Sequence, residues 1–152
     1  MTEIGFYHLL RTSLDEALPQ LLAKTLERGE RAVVKAGSAE RVGQLDDALW
    51  KWSPGNRNDS FLPHGTAKDG NAERQPIWLT DDDDNPNGAT FLFLTDGAES
   101  DAVGDYARCF NLFDGRDDEA VAHARDRWKA WKDAGHDLTY WQQGDRGWEK
   151  KA

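Results

Sequence analysis

Apolar and polar positions along this chain switch between a strand-like and a helix-like period. Ile4-Gly5-Phe6-Tyr7-His8-Leu9-Leu10 is an aromatic-rich run that predicts a buried strand. Ser13-Leu14-Asp15-Glu16 follows with capping-box spacing, and Leu14, Ala17, Leu18, Leu21, Leu22 and Leu26 then recur at helical spacing. Pro19 falls inside that pattern, which predicts that the regular turns begin there, with Pro19 in the first one. Gly29 is the expected stop, and residues 31–35 read as a short second strand. Ser38 heads a second helix to about Trp52, with Val42, Leu45, Leu49 and Trp52 on one stripe. The stretch 53–75 is polar apart from Phe61-Leu62-Pro63. Residues 76–79 predict a strand, and the acidic run 81–84 with Asn85-Pro86-Asn87-Gly88 a solvated turn. The continuous apolar run 90–95 predicts a central strand buried on both faces. Residues 107–113 predict another strand, holding Cys109, and residues 116–134 the last long helix, stopped at Gly135. Strands alternating with helices define an α/β domain with a mainly parallel central sheet flanked by helices.

Composition narrows the functions open to such a domain. At 152 residues, with 38% hydrophobic and 31% charged positions, the chain fits one domain with one real core. Nineteen Lys and Arg against 28 Asp and Glu leave a net charge of −9. That balance opposes a whole-surface grip on nucleic acid. The single Cys109 excludes an internal disulfide framework and a multi-cysteine zinc site. No apolar run approaches the ~18 residues of a membrane helix, and the opening MTEIGFYHLL lacks the pattern of a secretory signal, so a cytoplasmic protein is expected.

The catalytic fingerprints of α/β domains are missing. The turn after the first strand, Arg11-Thr12-Ser13, has no glycine to admit a pyrophosphate, and Gly37 and Gly43 fit neither phosphate-binding glycine motif. Cys109 sits in an apolar strand pattern, where an inert thiol is expected. His8, His64, His123 and His136 show no metal-ligand spacing, and the acidic run lacks the glycine turn of a hard-cation loop. No metal, no cofactor and no catalytic constellation are expected.

The last helix carries the most informative pattern. At about 100° per residue, Ala120, Ala124, Trp131 and Gly135 fall on one side, a core face, and Arg125, Lys129 and Lys132 form a second stripe. Val121 and Trp128 lie on the boundary between the two. Neither Arg125 nor Lys132 has a carboxylate three or four residues away, and from Val121 to Lys132 four cations face the single acid Asp126. A guanidinium can hold a carboxylate bidentately, a lysine adds field, and an indole supplies an apolar wall. The stripe therefore fits either a solvated helix face with Trp128 in the core or a small pocket for an acidic peptide with an apolar end. Trp50 lies well off the apolar stripe of the second helix, where it packs under a loop or helps to line a site.

Leu45-Asp46-Asp47-Ala48-Leu49-Trp50, Ser60-Phe61-Leu62-Pro63-His64 and Arg125-x-Arg127-Trp128-Lys129-x-Trp131-x-x-Ala134-Gly135 together resemble the chi subunit of bacterial DNA polymerase III holoenzyme. Phe6-Tyr7 and Asn111-Leu112-Phe113-Asp114 fit the same pattern, so the resemblance covers almost the whole chain. It implies a Rossmann-like fold without nucleotide binding over residues 1–141, with residues 142–152 a mobile extension. It also implies a non-catalytic adaptor in the clamp-loader assembly that binds the acidic C-terminal tail of single-stranded DNA-binding protein and meets DNA only indirectly. The implied tail site comprises Arg125, Trp128, Lys129 and Trp50, with Lys132 and Gly135 as neighbours. A tyrosine is familiar where Trp128 stands, so the apolar wall survives without its phenolic hydroxyl. Phe61, Leu62, Pro63 and His64 match a segment implied to contact a second partner, the psi subunit or a helicase. The rival readings are a nucleotide-binding or enzymatic Rossmann-like domain and a direct binder of single-stranded DNA, which needs cations interleaved with exposed rings along a groove.

Overall fold

Strand alternation sorts the apolar side chains onto two faces of a seven-stranded sheet, ordered β3-β2-β4-β5-β1-β6-β7. The computed structural model describes residues 2–52, 63–145 and 147–152. The strands are β1 (Glu3–Leu9), β2 (Ala32–Lys35), β3 (Ile77–Thr80), β4 (Phe91–Leu94), β5 (Arg108–Asp114), β6 (Asp137–Gly144) and β7 (Gly147–Lys150). All neighbouring pairs are parallel except β6 with β7. Tyr7, Val34, Phe93 and Phe110 enter one core, with Phe93 stacked on Phe110 at 4.3 Å. Ile4, Phe6, Val33, Leu92 and Cys109 enter the other. Every residue of β4 is buried, as an interior strand covered on both sides must be.

Helices α1 (Leu14–Glu27) and α2 (Ala39–Lys51) cover the first face, and α3 (Asp118–Asp133) covers the second. This is the α/β, Rossmann-like architecture expected. The helix α1 differs in its start. It begins at Leu14, so Pro19 lies inside it and is buried. An interior proline costs about 3 kcal/mol through its missing N–H and its clash with the preceding turn. Burial of Leu14, Leu18, Leu21 and Leu22 against the sheet, at roughly 1.5–3 kcal/mol each, outweighs that cost.

Residues 142–152 differ as well. Expected as an extension beyond the domain, they instead finish β6 and supply β7, which adds antiparallel to it from Trp141↔Lys150 to Gly144↔Gly147. Apolar packing accounts for this: Trp148 meets Tyr7 edge-on at 5.0 Å and packs against the first core. The acidic run is also more than a solvated turn. Asp83 pairs with Lys35 at 2.8 Å, and Asp84 accepts from Trp78 Nε1 at 3.0 Å and Thr80 Oγ1 at 2.6 Å. Cys109 is buried, and burial pushes its thiol up, away from the thiolate that a nucleophile needs.

Candidate functional site

The site is built on α3. Asp117 caps the helix by accepting from Glu119 N at 3.0 Å, and Gly135 ends it at φ +91°, a conformation that suits glycine. Ala124 and Trp131 are buried in the second core, as the angular pattern requires. Gly135 is not on that face: it is exposed just beyond the last turn.

Between α3 and β6 a hollow of about 220 Å3 is lined by Val121, Ala124, Arg125, Trp128, Lys129 and Tyr140. Trp128 forms its apolar wall, half-buried and held edge-on by Phe6 at 5.2 Å and by Tyr140 at 6.0 Å. Arg125 and Lys129 are exposed, and among the described residues neither they nor Lys132 takes part in an ion pair. The neighbouring Arg127 lies 3.7 Å from Glu99 instead. Tyr140 was not read from the sequence. The alternation of Thr139, Tyr140 and Trp141 was its available signal. Its hydroxyl shares a 2.6 Å hydrogen bond with His8 Nδ1, so a phenol stands in the hollow although the helix carries an indole.

Three of the expected tail-site residues meet in this hollow: Arg125, Trp128 and Lys129. Lys132 and Gly135 lie outside its lining, further along the chain. Trp50 is on α2, across the sheet, because Leu45 and Leu49 turn the helix stripe into the first core. It is 59% exposed, and its ring lies 5.0 Å from that of His64. Of the second-partner segment, Phe61 and Leu62 lie outside the described residues. Pro63 is half-buried, and His64 is buried with Nε2 2.8 Å from Asp46 Oδ1, turned towards α2 rather than outwards.

The place where a doubly wound sheet holds a phosphate is occupied by the protein itself. After β1, the amides of Leu10, Arg11 and Thr12 all donate to Gln143 Oε1, at 2.9, 2.8 and 3.1 Å. Arg41 at the same sheet end is engaged by Asp15 at 2.7 Å and Asp96 at 2.6 Å, and Arg116 by Asp114 at 3.2 Å. Among the described residues no group of His, Cys, Asp and Glu is placed to hold a metal ion, and no helix is long and apolar enough to cross a membrane.

Fold and site together define a Rossmann-like α/β domain whose phosphate turn is filled and whose third helix carries an aromatic hollow with cations unpaired among the described residues. The family model for the DNA polymerase III chi subunit, HolC, matches residues 1–139. The chain belongs to this family of replication accessory subunits. It is also similar to the probable DNA polymerase III subunit chi of Rickettsia prowazekii (strain Madrid E), with 28% identity over 113 residues. That alignment covers 72% of this chain and 66% of the relative, so it spans just under two thirds of the relative's length.

Proposed function

We propose that the chain is a non-catalytic, cytoplasmic adaptor in the clamp-loader assembly, and that the α3 hollow captures the acidic C-terminal tail of single-stranded DNA-binding protein. The observation that carries this reading is the pair Arg125 and Lys129, exposed and without carboxylate partners among the described residues, at the edge of a hollow walled by Trp128 and Tyr140. An apolar last residue fits against the rings, its terminal carboxylate meets the guanidinium, and the preceding acids lie in the field of Lys129 and Lys132. Lys132 and Gly135 then act around the hollow rather than in it, and Trp50, on the opposite face of the sheet, stands apart from it. The filled turn after β1 argues against the nucleotide reading. The exposed Trp50, with His64 beside α2, is proposed as part of the surface for a second replication protein, the psi subunit or a helicase, together with Phe61, Leu62 and Pro63 of the same sequence motif.

A single tail binds at the micromolar level, on the order of −8 kcal/mol. Titrating a labelled tail peptide by fluorescence anisotropy tests the site. Arg125→Ala removes a charge-assisted hydrogen bond worth roughly 1.5–3 kcal/mol, an expected loss of about tenfold to 150-fold in affinity with the fold intact. Deleting the peptide's terminal apolar residue weakens binding as well. Unchanged affinity of Arg125→Ala rejects the site.

A further inference from the structure

A second aromatic hollow lies on the opposite face of the sheet, under α1, and nothing in the tail-binding reading uses it. Its volume is about 290 Å3, larger than that of the α3 hollow. The rings of Tyr7, Phe91, Phe110, Trp141 and Trp148 line it, one from each of β1, β4, β5, β6 and β7. Tyr7, Phe91 and Phe110 are buried and form the floor, while Trp141 and Trp148 are half-buried walls. Tyr7 ties floor to wall, 5.4 Å from Phe110 and 5.0 Å from Trp148.

The remaining lining is Leu21, Thr25 and three cations. The cations are Lys24 on α1, Arg28 one turn on at its C-cap, and Arg108 on β5, and among the described residues no acidic residue lines the hollow. Among the described residues Lys24 and Arg28 form no ion pair, and Arg108 has only Glu3 at 3.7 Å. The Arg108 guanidinium lies 4.9 Å from the Phe110 ring and 5.4 Å from Phe91, and Arg28 lies 5.7 Å from Phe91. Stacking on a ring face leaves the N–H edge of a guanidinium open to a carboxylate. In a molecule of net charge −9, three cations gathered around five rings without a lining carboxylate select an anionic ligand with an apolar or aromatic anchor.

We infer that the α1 hollow binds an acidic peptide segment, which inserts an internal aromatic side chain among the rings and lays flanking carboxylates on Lys24, Arg28 and Arg108. The three cations can each take a side-chain carboxylate, so no chain end is required. Single-stranded DNA fits less well. It needs rings and cations strung along a groove, and the overall charge repels a polyanion, whereas this is one hollow with a local cationic rim.

The test uses the full chain and a fluorescein-labelled nonapeptide of aspartates with one central phenylalanine and an amidated carboxyl end. Amidation removes the terminal carboxylate that the α3 hollow is proposed to hold. Lys24 and Arg28 are both exposed, so the double variant Lys24→Glu/Arg28→Glu keeps its fold, which a thermal melt verifies. The wild type and Arg125→Ala bind the amidated peptide alike, the double variant binds at least tenfold more weakly, and the indole N–H resonances of Trp141 and Trp148 shift on titration. The inference is overturned if the wild type does not bind the amidated peptide, if the double variant binds it unchanged, or if an oligothymidine rather than the peptide is what the double variant loses. The free-carboxylate tail peptide reports on Arg125 separately, so either hollow can fail while the other stands.

Discussion

His8 sits beneath the α3 hollow and couples its wall to the acidity of the medium. Its Nδ1 meets the Tyr140 hydroxyl at 2.6 Å, and the close approach of Gly115, where an added Cβ would come within 1.9 Å of the imidazole, fixes the ring. Burial holds the His8 pKa below its ordinary value. The Gly115 backbone pushes it back up, Arg125 pushes it down, and Asp114 pushes it up, with burial the largest of the four. A histidine with a lowered folded pKa favours the neutral ring, so the unfolded chain takes up the proton first. The stability it contributes is complete above the unfolded value of about 6.5 and is lost as pH falls through the folded value. Urea midpoints measured as pH is lowered below about 6.5 should therefore drop more steeply for the wild type than for His8→Asn. Equal slopes would show that His8 titrates in the folded protein as it does in the open chain.

The two long helices on the first face begin on serines that do different work. Ser38 accepts from Arg41 N at 3.1 Å and caps α2, whereas Ser13 makes no side-chain bond to the α1 backbone and meets the Glu16 carboxylate instead, at 3.3 Å. Ser38→Ala should cost roughly 0.5–2 kcal/mol, and Ser13→Ala distinctly less. Denaturant melts of the two variants check the order, and equal losses would refute it. Ser38 was legible as a helix start, because cap spacing and apolar period are local signals. So were the core positions of α3, where Ala124 and Trp131 fall inward as their angles require. The start of α1 was misread because a local rule about proline was applied where long-range burial decides. The strand β6 was missed because its pairing partner, β1, lies at the other end of the chain. That omission hid Tyr140, Trp141 and Gln143, and with them one wall of each aromatic hollow and the plug of the turn after β1. Trp50 was joined to the tail site through resemblance. Only the packing of α2 on the face opposite α3 separates it from Arg125.

At the scale of the molecule, charge and topology divide the surface between what attracts an acidic peptide and what repels a polyanion. The net charge of −9 belongs to the whole chain, while Arg125 and Lys129, unpaired among the described residues, stand beside one hollow on α3. Such a layout attracts a short anionic peptide locally and disfavours the long phosphate backbone of DNA, which meets the whole field. The tail interaction rests on exposed charges, so salt screens it. Raising ionic strength from about 0.1 M to about 1 M shortens the Debye length from ~10 to ~3 Å and should weaken tail binding markedly. Stability, set by the two buried cores, should change little. Several tails displayed on one DNA-bound protein raise the effective concentration and strengthen the grip without new contacts. Pull-down of DNA coated with intact or tail-truncated single-stranded DNA-binding protein separates this arrangement from direct binding. Intact coat should retain the chain at low salt and release it at high salt, and truncated coat should not retain it at either. Retention on the tail-truncated coat would mean that the chain holds DNA or the coat protein's folded body, and the Arg125 hollow would lose its assigned part.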